Sequence, residues 1–278
     1  MTLDEIVEKA LTEDLGDGDH TSLATIPHNK TGKARLVIKK EGILAGVNVA
    51  MAVFLKVDPS LKIDVFITDG NPVRPGDVVF TISGSSVSIL SGERLALNFL
   101  QRMSGIATYT HYLVQKIKGT RSRLLDTRKT TPLMRDLEKY AVRMGGGENH
   151  RMGLYDMIMI KDNHVDFAGG IEKAIAAVHK YFSKKGITLP IEIEVRNFDE
   201  LDRVLSYGKV DRIMLDNFTP IELKKAIERI DGRFETEASG GITEERIRDF
   251  AETGVDFISV GALTHQIKSL DMSLQATL

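Results

Sequence analysis

The chain has 278 residues, a net charge of −2 and no cysteine. Its length allows a large core in one or two domains, and its charge argues against a general nucleic-acid-binding protein. The lack of cysteine excludes disulfides, thiolate nucleophiles and Cys-based zinc sites, and no apolar run approaches the roughly 20 residues that span a bilayer. The acidic, amphipathic N-terminus is not a secretory signal. We therefore expect a cytoplasmic protein without nucleic-acid or membrane partners.

The first hundred residues predict an α+β domain, assigned to residues 1–105. Thr2-Leu3-Asp4-Glu5 has the form of a capping box and opens a helix that ends near Gly16. Three aspartates crowd the following loop, but no Glu stands where a calcium loop needs one, so a turn is preferred over a calcium site. A helix is predicted at 47–57, and strands are predicted at 33–39, 62–67 and 77–82.

A further helix is predicted to begin after Ser91 as its N-cap and to be broken at Ser104-Gly105. A second helix then runs to Gly119. Arg94 lies in the first turn of the earlier helix, where a cation opposes the helix dipole. Arg94 therefore has either a functional task or a surface salt bridge.

Residues 121–164 contain more Lys and Arg than Asp and Glu, and three consecutive glycines at 145–147 interrupt them. Cations clustered beside a glycine turn predict a pocket for a strongly anionic ligand. The alternative is a solvated basic helix face beside a loop, and we assign Arg135, Lys139 and Arg143 to such a helix surface.

After residue 120 the pattern becomes a repeated alternation of strand and helix, which predicts a parallel sheet or barrel. The strands are predicted at 123–125, 157–160, 191–195, 211–215, 234–238 and 255–260. The helices are predicted at 170–182, 199–206, 219–230 and 243–253. Six strands are fewer than the eight of a complete barrel, so the barrel predicted over residues 106–265 is either incomplete or contains strands that the pattern does not reveal. The tail, 266–278, is expected to pack back on the N-terminal domain.

The predicted strands end in polar or small residues at regular intervals, as the active face of a barrel requires. Ser239, Gly240 and Gly241 follow one strand, and Gly261 and Ala262 follow the next. Glycine turns and helix N-termini bind phosphate, so these two turns predict a phosphate site, although tight turns alone would also need glycine. His265 is either an additional donor or a packed surface residue.

Glu194 and Asp216 end neighbouring predicted strands, so their carboxylates are expected to converge. They would bind ribose hydroxyls, hold Mg²⁺ together with substrate oxygens, stabilise a developing oxocarbenium ion, or only form salt bridges. Glu192 shares a face with Glu194 and is the weaker candidate.

Several motifs in chain order make the sequence resemble the quinolinate phosphoribosyltransferase family. They cover nearly the whole chain: ALTEDLGDGDHTS (10–22), GERLALNFLQRMSGIAT (92–108), LLDTRKTTP (124–132), EKYAVRMGGGENHRMGLYDMIMIKDNH (138–164), EIEVRN (192–197), IMLDN (213–217), EASGGIT (237–243) and ISVGALTH (258–265). The resemblance implies a pentosyltransferase that makes nicotinate mononucleotide, pyrophosphate and CO₂ from quinolinate and phosphoribosyl pyrophosphate with Mg²⁺. It implies an incomplete α/β barrel beside an α/β N-terminal domain. It also implies a homodimer, or a higher oligomer built from it, with an active site shared between subunits.

The matched motifs imply a role for each site residue. Quinolinate and pyrophosphate would be bound by Arg128, His150, Arg151 and Lys161, with Arg94 supplied by the neighbouring subunit. Lys129 would contact the phosphoribosyl donor, and Glu194 and Asp216 would meet its ribose hydroxyls and the metal. Lys161, Glu194 and Asp216 are the expected catalytic residues. The 5′-phosphate would be held by Ser239, Gly240, Gly241, Gly261 and Ala262, with His265 beside them.

Four positions depart from the family pattern, namely His20, Leu133, Met144 and Arg196. Of these, Arg196 is expected to affect the site, because it follows Glu194 by two residues. Three other functions stay open at this point. They are a related barrel phosphoribosyltransferase that acts on another aromatic acid such as nicotinate, a relative associated with molybdate transport, and a non-catalytic protein that binds a phosphate ligand.

Overall fold

The computed structural model describes residues 1–277, which form two compact units that are discontinuous in sequence. The first unit comprises Met1–His111, Thr130–Gly146 and the chain from Ala262 onward. The second comprises Tyr112–Lys129 and Gly147–Gly261. The predicted fold class, an incomplete α/β barrel with an α+β N-terminal domain, is confirmed. No helix within residues 1–277 is long and apolar enough to cross a membrane.

The first unit is built on an antiparallel sheet in the order β12-β1-β5-β3. Its strands are β1 (Thr31–Ile38), β3 (Lys62–Val65), β5 (Val78–Ser85) and β12 (Met272–Thr277), and a separate ribbon pairs β2 (Gly42–Ile43) with β4 (Pro72–Val73). Strand β12 pairs with β1 from Met272 opposite Ile38 to Thr277 opposite Lys33, so the tail completes this sheet. The helices of this unit are α1 (Leu3–Leu15), α2 (His20–Thr25), α3 (Val47–Val57), α5 (Arg135–Met144), α11 (Ala262–His265) and most of α4 (Ser86–Lys116), which belongs to it as far as His111.

Helix α4 is continuous from Ser86 to Lys116, so the predicted break at Ser104-Gly105 and the predicted N-cap at Ser91 are both wrong. Both serines make tertiary hydrogen bonds instead. Ser104 is fully buried and donates its hydroxyl to the carbonyl oxygen of Ala45 (3.1 Å), and Ser91 donates to Asp19 Oδ2 (3.3 Å). The predicted boundary at residues 105–106 lies inside this helix.

Gly105 serves a close approach within the first unit rather than a helix end. A Cβ at this position would collide with the carbonyl of Lys268 and lie 3.1 Å from the Cα of Ser269. The glycine therefore lets the chain before β12 lie directly on α4. From sequence alone, a glycine that ends a helix cannot be distinguished from a glycine that allows another segment to pack closely on the helix.

The second unit contains a six-stranded parallel sheet in the order β6-β11-β10-β9-β8-β7. The strands are β6 (Arg123–Leu125), β7 (Ile158–Ile160), β8 (Ile191–Val195), β9 (Arg212–Asp216), β10 (Glu235–Ser239) and β11 (Phe257–Ser259). The helices are α6 (Asp162–Ala168), α7 (Ile171–Lys185), α8 (Phe198–Tyr207), α9 (Pro220–Ile230) and α10 (Ile247–Ala251). All six strands were predicted. The predicted helix at 243–253 is shorter, and α6 was not predicted because it is only seven residues long.

The strands of this unit bury apolar side chains along most of their length. Ile193, Ile213, Leu215 and Ile258 are completely buried. Burial of such a side chain stabilises the fold by about 1.5–3 kcal/mol. Glu192 and Glu237 are also completely buried, although strand interiors of this kind normally hold apolar residues.

Candidate active site

All six strands of the second unit end near a residue that the sequence assigned to the site. Because the strands are parallel, their carboxyl ends lie at one edge of the sheet. In sheet order from β7 to β6, these residues are Lys161, Glu194, Asp216, Ser239, Gly261 and Arg128. Residues that are far apart in sequence thus line a single edge.

Lys161 and Glu194 form an ion pair at the ends of β7 and β8. The Lys161 Nζ atom lies 2.8 Å from Glu194 Oε2, and only 8% of the Glu194 side chain is exposed. Burial raises the pKa of the neighbouring Asp216, and the negative charge of Glu194 raises it further. Two carboxylates held this close favour a cation or hydroxyl donors between them.

The ends of β9 and β10 are tied together by Asn217. Its main-chain N–H donates to the Ser239 carbonyl (2.9 Å) and its side-chain amide donates to Asp216 Oδ2 (2.6 Å). Asn217 and Gly240 both have positive φ, 58° and 96°. A Cβ on Gly240 would lie 2.9 Å from the Asn217 main-chain nitrogen and would collide with its side chain. The glycine is therefore required by the close approach of the two turns.

Arg128 and Arg151 bring two positive charges near each other after β6 and before β7. Arg151 is half-buried and its Nη1 donates to the Met157 carbonyl (3.3 Å). Burial lowers the pKa of Arg151, and the charge of Arg128 lowers it further. Like charges held together destabilise the unliganded protein, and a bound dianion would offset this repulsion.

His150 is turned into the sheet rather than toward solvent. Only 4% of its side chain is exposed, and Nε2 lies 2.9 Å from Glu192 Oε2 and 3.3 Å from Glu237 Oε2. Its main-chain N–H donates to Oδ1 of the fully buried Asp126 (2.9 Å). The predicted contact of His150 with substrate stays a prediction, since its ring faces buried carboxylates.

The buried cluster around His150 is balanced by Arg212, whose Nη1 lies 3.3 Å from Glu237 Oε2. Burial would lower the pKa of His150, but the two carboxylates outweigh it and raise the pKa to about 9. Burial and the charge of Glu237 raise the pKa of Glu192 to about 7. Counted with Arg212, the cluster has no net charge with an imidazolium and two carboxylates, or with a neutral imidazole and one protonated carboxyl. Only in the neutral imidazole can a ring nitrogen accept a hydrogen bond.

Within residues 1–277, one group of three potential metal ligands has its donor atoms within 4.8 Å of one another, namely His150, Glu192 and Glu237. The guanidinium of Arg212 already supplies the balancing positive charge at this cluster. We therefore interpret it as an ion-pair network rather than a metal centre. Glu194 and Asp216, which the sequence predicted as metal ligands, lie at the strand ends outside this group.

The remaining predicted site residues occupy several different places. In the first unit, Arg94 is exposed on α4, and Ala262 and His265 begin and end α11. In the second unit, Lys129 is exposed after β6, and Gly241 follows Gly240 with φ 58°. Their roles stay predictions.

Two expectations for basic residues are wrong. Arg196 pairs with Glu200 in the first turn of α8 (2.5 Å) and with Asp166 of α6 (3.3 Å) rather than with Glu194. Lys139, assigned to a helix surface, is 1% exposed, whereas Arg143 is exposed. The buried face of α5 includes charged residues, so its polarity did not reveal which side faces inward.

The sequence analysis also missed the roles of Asp126, Arg212 and Glu237. Each is a charged residue inside or at the end of an apolar strand, and that was the available signal. Asp126 accepts hydrogen bonds from the Asn149 side chain (2.5 Å) and the His150 main chain, and so it organises the segment after the glycine turn.

Comparison with known proteins gives consistent matches along the chain. A family model for the quinolinate phosphoribosyl transferase C-terminal domain matches residues 106–275, and the N-terminal-domain model matches residues 19–104. The chain is 44% identical to "Quinolinate phosphoribosyltransferase (decarboxylating) 2b, mitochondrial" of Nicotiana tabacum, over 98% of this chain and 82% of that protein. It is 41% identical to the "Probable nicotinate-nucleotide pyrophosphorylase (carboxylating)" of Bacillus subtilis, over 100% and 94%. The crystal structure of NadC from Streptococcus pyogenes superposes with a TM-score of 0.94 at 40% identity, over 99% of this chain and 96% of that one.

Proposed function

The chain belongs to the quinolinate phosphoribosyltransferase family, and we propose that its sheet edge transfers a phosphoribosyl group from phosphoribosyl pyrophosphate to quinolinate with loss of CO₂. The products are nicotinate mononucleotide and pyrophosphate, which places the reaction in NAD biosynthesis. The observation that carries this proposal is the alignment of Lys161, Glu194, Asp216 and Arg128 along one sheet edge. That edge combines cations for anionic substrates with carboxylates for ribose.

The charges of the two substrates match this edge. Quinolinate has two carboxylates, and the donor has a 5′-phosphate and a pyrophosphate. Arginine binds planar carboxylates through two parallel hydrogen bonds, so Arg128 and Arg151 suit the dicarboxylate. Lys161 suits the pyrophosphate oxygens, and the turn at Ser239, Gly240 and Gly241 suits the 5′-phosphate.

The first chemical step joins the two substrates. The pyridine nitrogen attacks ribose C1′ as the bond from C1′ to pyrophosphate breaks, and the leaving oxygen keeps the bonding electrons. Lys161 neutralises the leaving charge, while Glu194 and Asp216 stabilise the positive character that develops on the ribose. This step needs orientation and charge stabilisation rather than a protein nucleophile.

The second step removes the carboxylate beside the alkylated nitrogen. The bond to CO₂ breaks, its electrons remain on the ring carbon beside the cationic nitrogen, and that carbon then takes up a proton. Arg128 and Arg151 hold the other carboxylate, so that the ring stays oriented while CO₂ leaves.

Glu194 and Asp216 also fit a bound Mg²⁺. They offer carboxylate oxygens, which this ion prefers. Burial raises the pKa of Asp216 and the charge of Glu194 raises it further, and a dication bound beside the two carboxylates would offset both effects. When bound there with substrate oxygens, Mg²⁺ would neutralise charge on the donor phosphates.

A homodimer with shared sites, in the cytoplasm, completes the proposal. The exposed position of Arg94 on α4 supports a task at a neighbouring subunit. An arginine in that position would add a further cation for the quinolinate carboxylates. The absence of cysteine supports a cytoplasmic location.

The test is incubation of the protein with quinolinate, phosphoribosyl pyrophosphate and Mg²⁺, with release of CO₂ and formation of the mononucleotide followed together. We expect both products in equal amounts, and neither when nicotinate replaces quinolinate. Product from nicotinate without CO₂ would identify a related phosphoribosyltransferase. No product with either acid, despite binding of the donor, would favour a phosphate-ligand-binding protein.

A further inference from the structure

Three charged side chains form a row on one face of the sheet, across three neighbouring strands. Glu192 of β8 stands opposite Arg212 of β9 in the strand register, and Arg212 Nη1 reaches Glu237 of β10 at 3.3 Å. Both glutamates are completely buried. Burying such a row requires removal of each charge from water, and apolar residues of the same volume are often at least as stabilising. Stability alone therefore does not account for it.

The row has one further partner, the imidazole of His150. Nε2 lies 2.9 Å from Glu192 Oε2 and 3.3 Å from Glu237 Oε2, so both carboxylates are within ion-pair distance of this nitrogen. In the neutral imidazole with its proton on Nε2, the other ring nitrogen, Nδ1, accepts the main-chain N–H of Arg151 at 2.7 Å. The ring thus joins the buried carboxylates to the backbone of a residue at the sheet edge.

Hydrogen bonds orient both the main chain and the guanidinium of Arg151. Its main-chain N–H is held by His150, and its guanidinium donates to the Met157 carbonyl at 3.3 Å. A small displacement of a group that orients substrate has a large effect on turnover. The position of the His150 ring therefore determines where the Arg151 charge is presented.

We infer that Glu192 and Glu237 are positioning residues, which set the orientation of Arg151 by holding the imidazole of His150 from inside the sheet. The inference rests on the proposed function, because its readout is the binding of quinolinate. Neither glutamate contacts substrate in this arrangement. Their loss is expected to affect the dicarboxylate end of the site and to leave the donor end unchanged.

The test compares Glu237→Gln and Glu192→Gln with Glu172→Gln, a matched control. Glu172 also pairs with an arginine in the second unit, Arg203, but it lies at the surface and has no contact with His150. We expect the KM for quinolinate to rise about 10-fold or more in the first two variants. The KM for phosphoribosyl pyrophosphate should stay within about twofold, and Glu172→Gln should leave both values unchanged.

A double-mutant cycle shows whether the effect passes through His150. His150→Leu removes both the ring nitrogen near the carboxylates and the acceptor for the Arg151 N–H. Adding Glu237→Gln to His150→Leu should raise the quinolinate KM no further. Additive effects, or a normal quinolinate KM in Glu237→Gln, would overturn the inference, as would an equal rise in both KM values.

Folding and function are separated by two further measurements. If Glu237→Gln does not fold, Arg212→Met/Glu237→Gln removes one cation and one anion together, and its KM values are measured instead. Turnover by the unmodified protein is the reference throughout. If the unmodified protein makes no product, the proposed function fails. If it turns over normally and Glu237→Gln binds quinolinate equally well, only the positioning inference fails.

Discussion

At the scale of single residues, the site combines groups that destabilise one another when the substrates are absent. Burial lowers the pKa of Arg151 and the charge of Arg128 lowers it further, while burial raises the pKa of Asp216 and the charge of Glu194 raises it further. Each pair places like charges close together at the sheet edge. Substrates with charges of the opposite sign would offset this repulsion. The loss of repulsion would then contribute to the free energy of substrate binding.

Arg128→Ala or Arg151→Ala should abolish turnover in a protein that remains folded. Each change removes a cation that orients the quinolinate carboxylates, and kcat/KM should fall at least about 100-fold. Steady-state kinetics and thermal unfolding measured on the same samples check both statements. Arg203→Ala, at an exposed ion pair, is the control. Normal kcat and KM in either site variant would contradict the assignment.

Tyr140 should control the stability of the first unit at alkaline pH. Its hydroxyl donates to Asp69 Oδ2 (2.8 Å), and Asp69 Oδ1 accepts the Val47 N–H at the start of α3 (3.0 Å). Burial, followed by the bond to Asp69, raises the pKa of Tyr140 from 10.0 to about 12. The neutral form is therefore favoured in the folded state. The stabilisation of the folded state by neutral Tyr140 is complete below pH 10.0 and is lost as the pH rises to about 12.

Tyr140→Phe should accordingly lower the free energy of unfolding by about 0.5–1.5 kcal/mol near neutral pH. It should also weaken the loss of stability between pH 10.0 and about 12. Urea unfolding at several pH values measures both effects. Tyr155→Phe is the control, because Tyr155 is 75% exposed. An unchanged alkaline transition in Tyr140→Phe would show that another group governs it.

At the scale of elements, the turns after the strands determine the geometry of the site. The turn after β10 contains Gly240 and Gly241, both with positive φ. They differ in their surroundings. A Cβ on Gly240 would collide with Asn217, whereas a Cβ on Gly241 would meet nothing within 4 Å.

This difference allows a matched pair of variants. Gly240→Ala should push the β10 turn away from Asn217 and raise the KM for phosphoribosyl pyrophosphate about 10-fold or more. Gly241→Ala places an alanine in the left-handed backbone conformation, which costs about 1–2 kcal/mol but causes no collision. It should therefore weaken donor binding less than Gly240→Ala does. Initial rates at varied donor concentration distinguish them. Equal effects of the two changes would mean that contact with Asn217 is unimportant.

At the scale of the whole molecule, an active site shared between two subunits predicts that two inactive variants can restore activity when they form a mixed dimer. Arg94→Ala and Lys161→Ala should each inactivate the enzyme, if Arg94 serves the site of the neighbouring subunit. When the two variants are unfolded and refolded together, a mixed dimer contains one site with both native residues. Random pairing then restores about a quarter of the wild-type activity.

Light scattering of the same mixture reports whether the chain forms a dimer or a larger oligomer. Lys161→Ala mixed with Glu194→Ala is the control, because both residues belong to one site and that mixture should remain inactive. Recovery in the control, or none in the first mixture, would contradict a site that takes Arg94 from the neighbouring subunit.

The sequence by itself determined the alternation of strands and helices, the six barrel strands and the residues at their carboxyl ends. These depend on local periodicity and chain order, and a parallel sheet brings its strand ends together whatever the details of packing. The motifs also identified the family. Lys161, Glu194 and Asp216 follow from these features as predicted site residues, and the structure places them along one sheet edge.

Only the tertiary structure decided the order of the strands, the continuity of α4 and the environment of each charge. Ser104 and Gly105 resemble a helix break in sequence, yet Ser104 hydrogen-bonds to Ala45 and Gly105 packs against Lys268 within a continuous helix. The sequence also does not show that the His150 ring lies beside the buried carboxylates of Glu192 and Glu237. Local sequence does not reveal these outcomes, because each depends on partners many residues away and on the burial that they share.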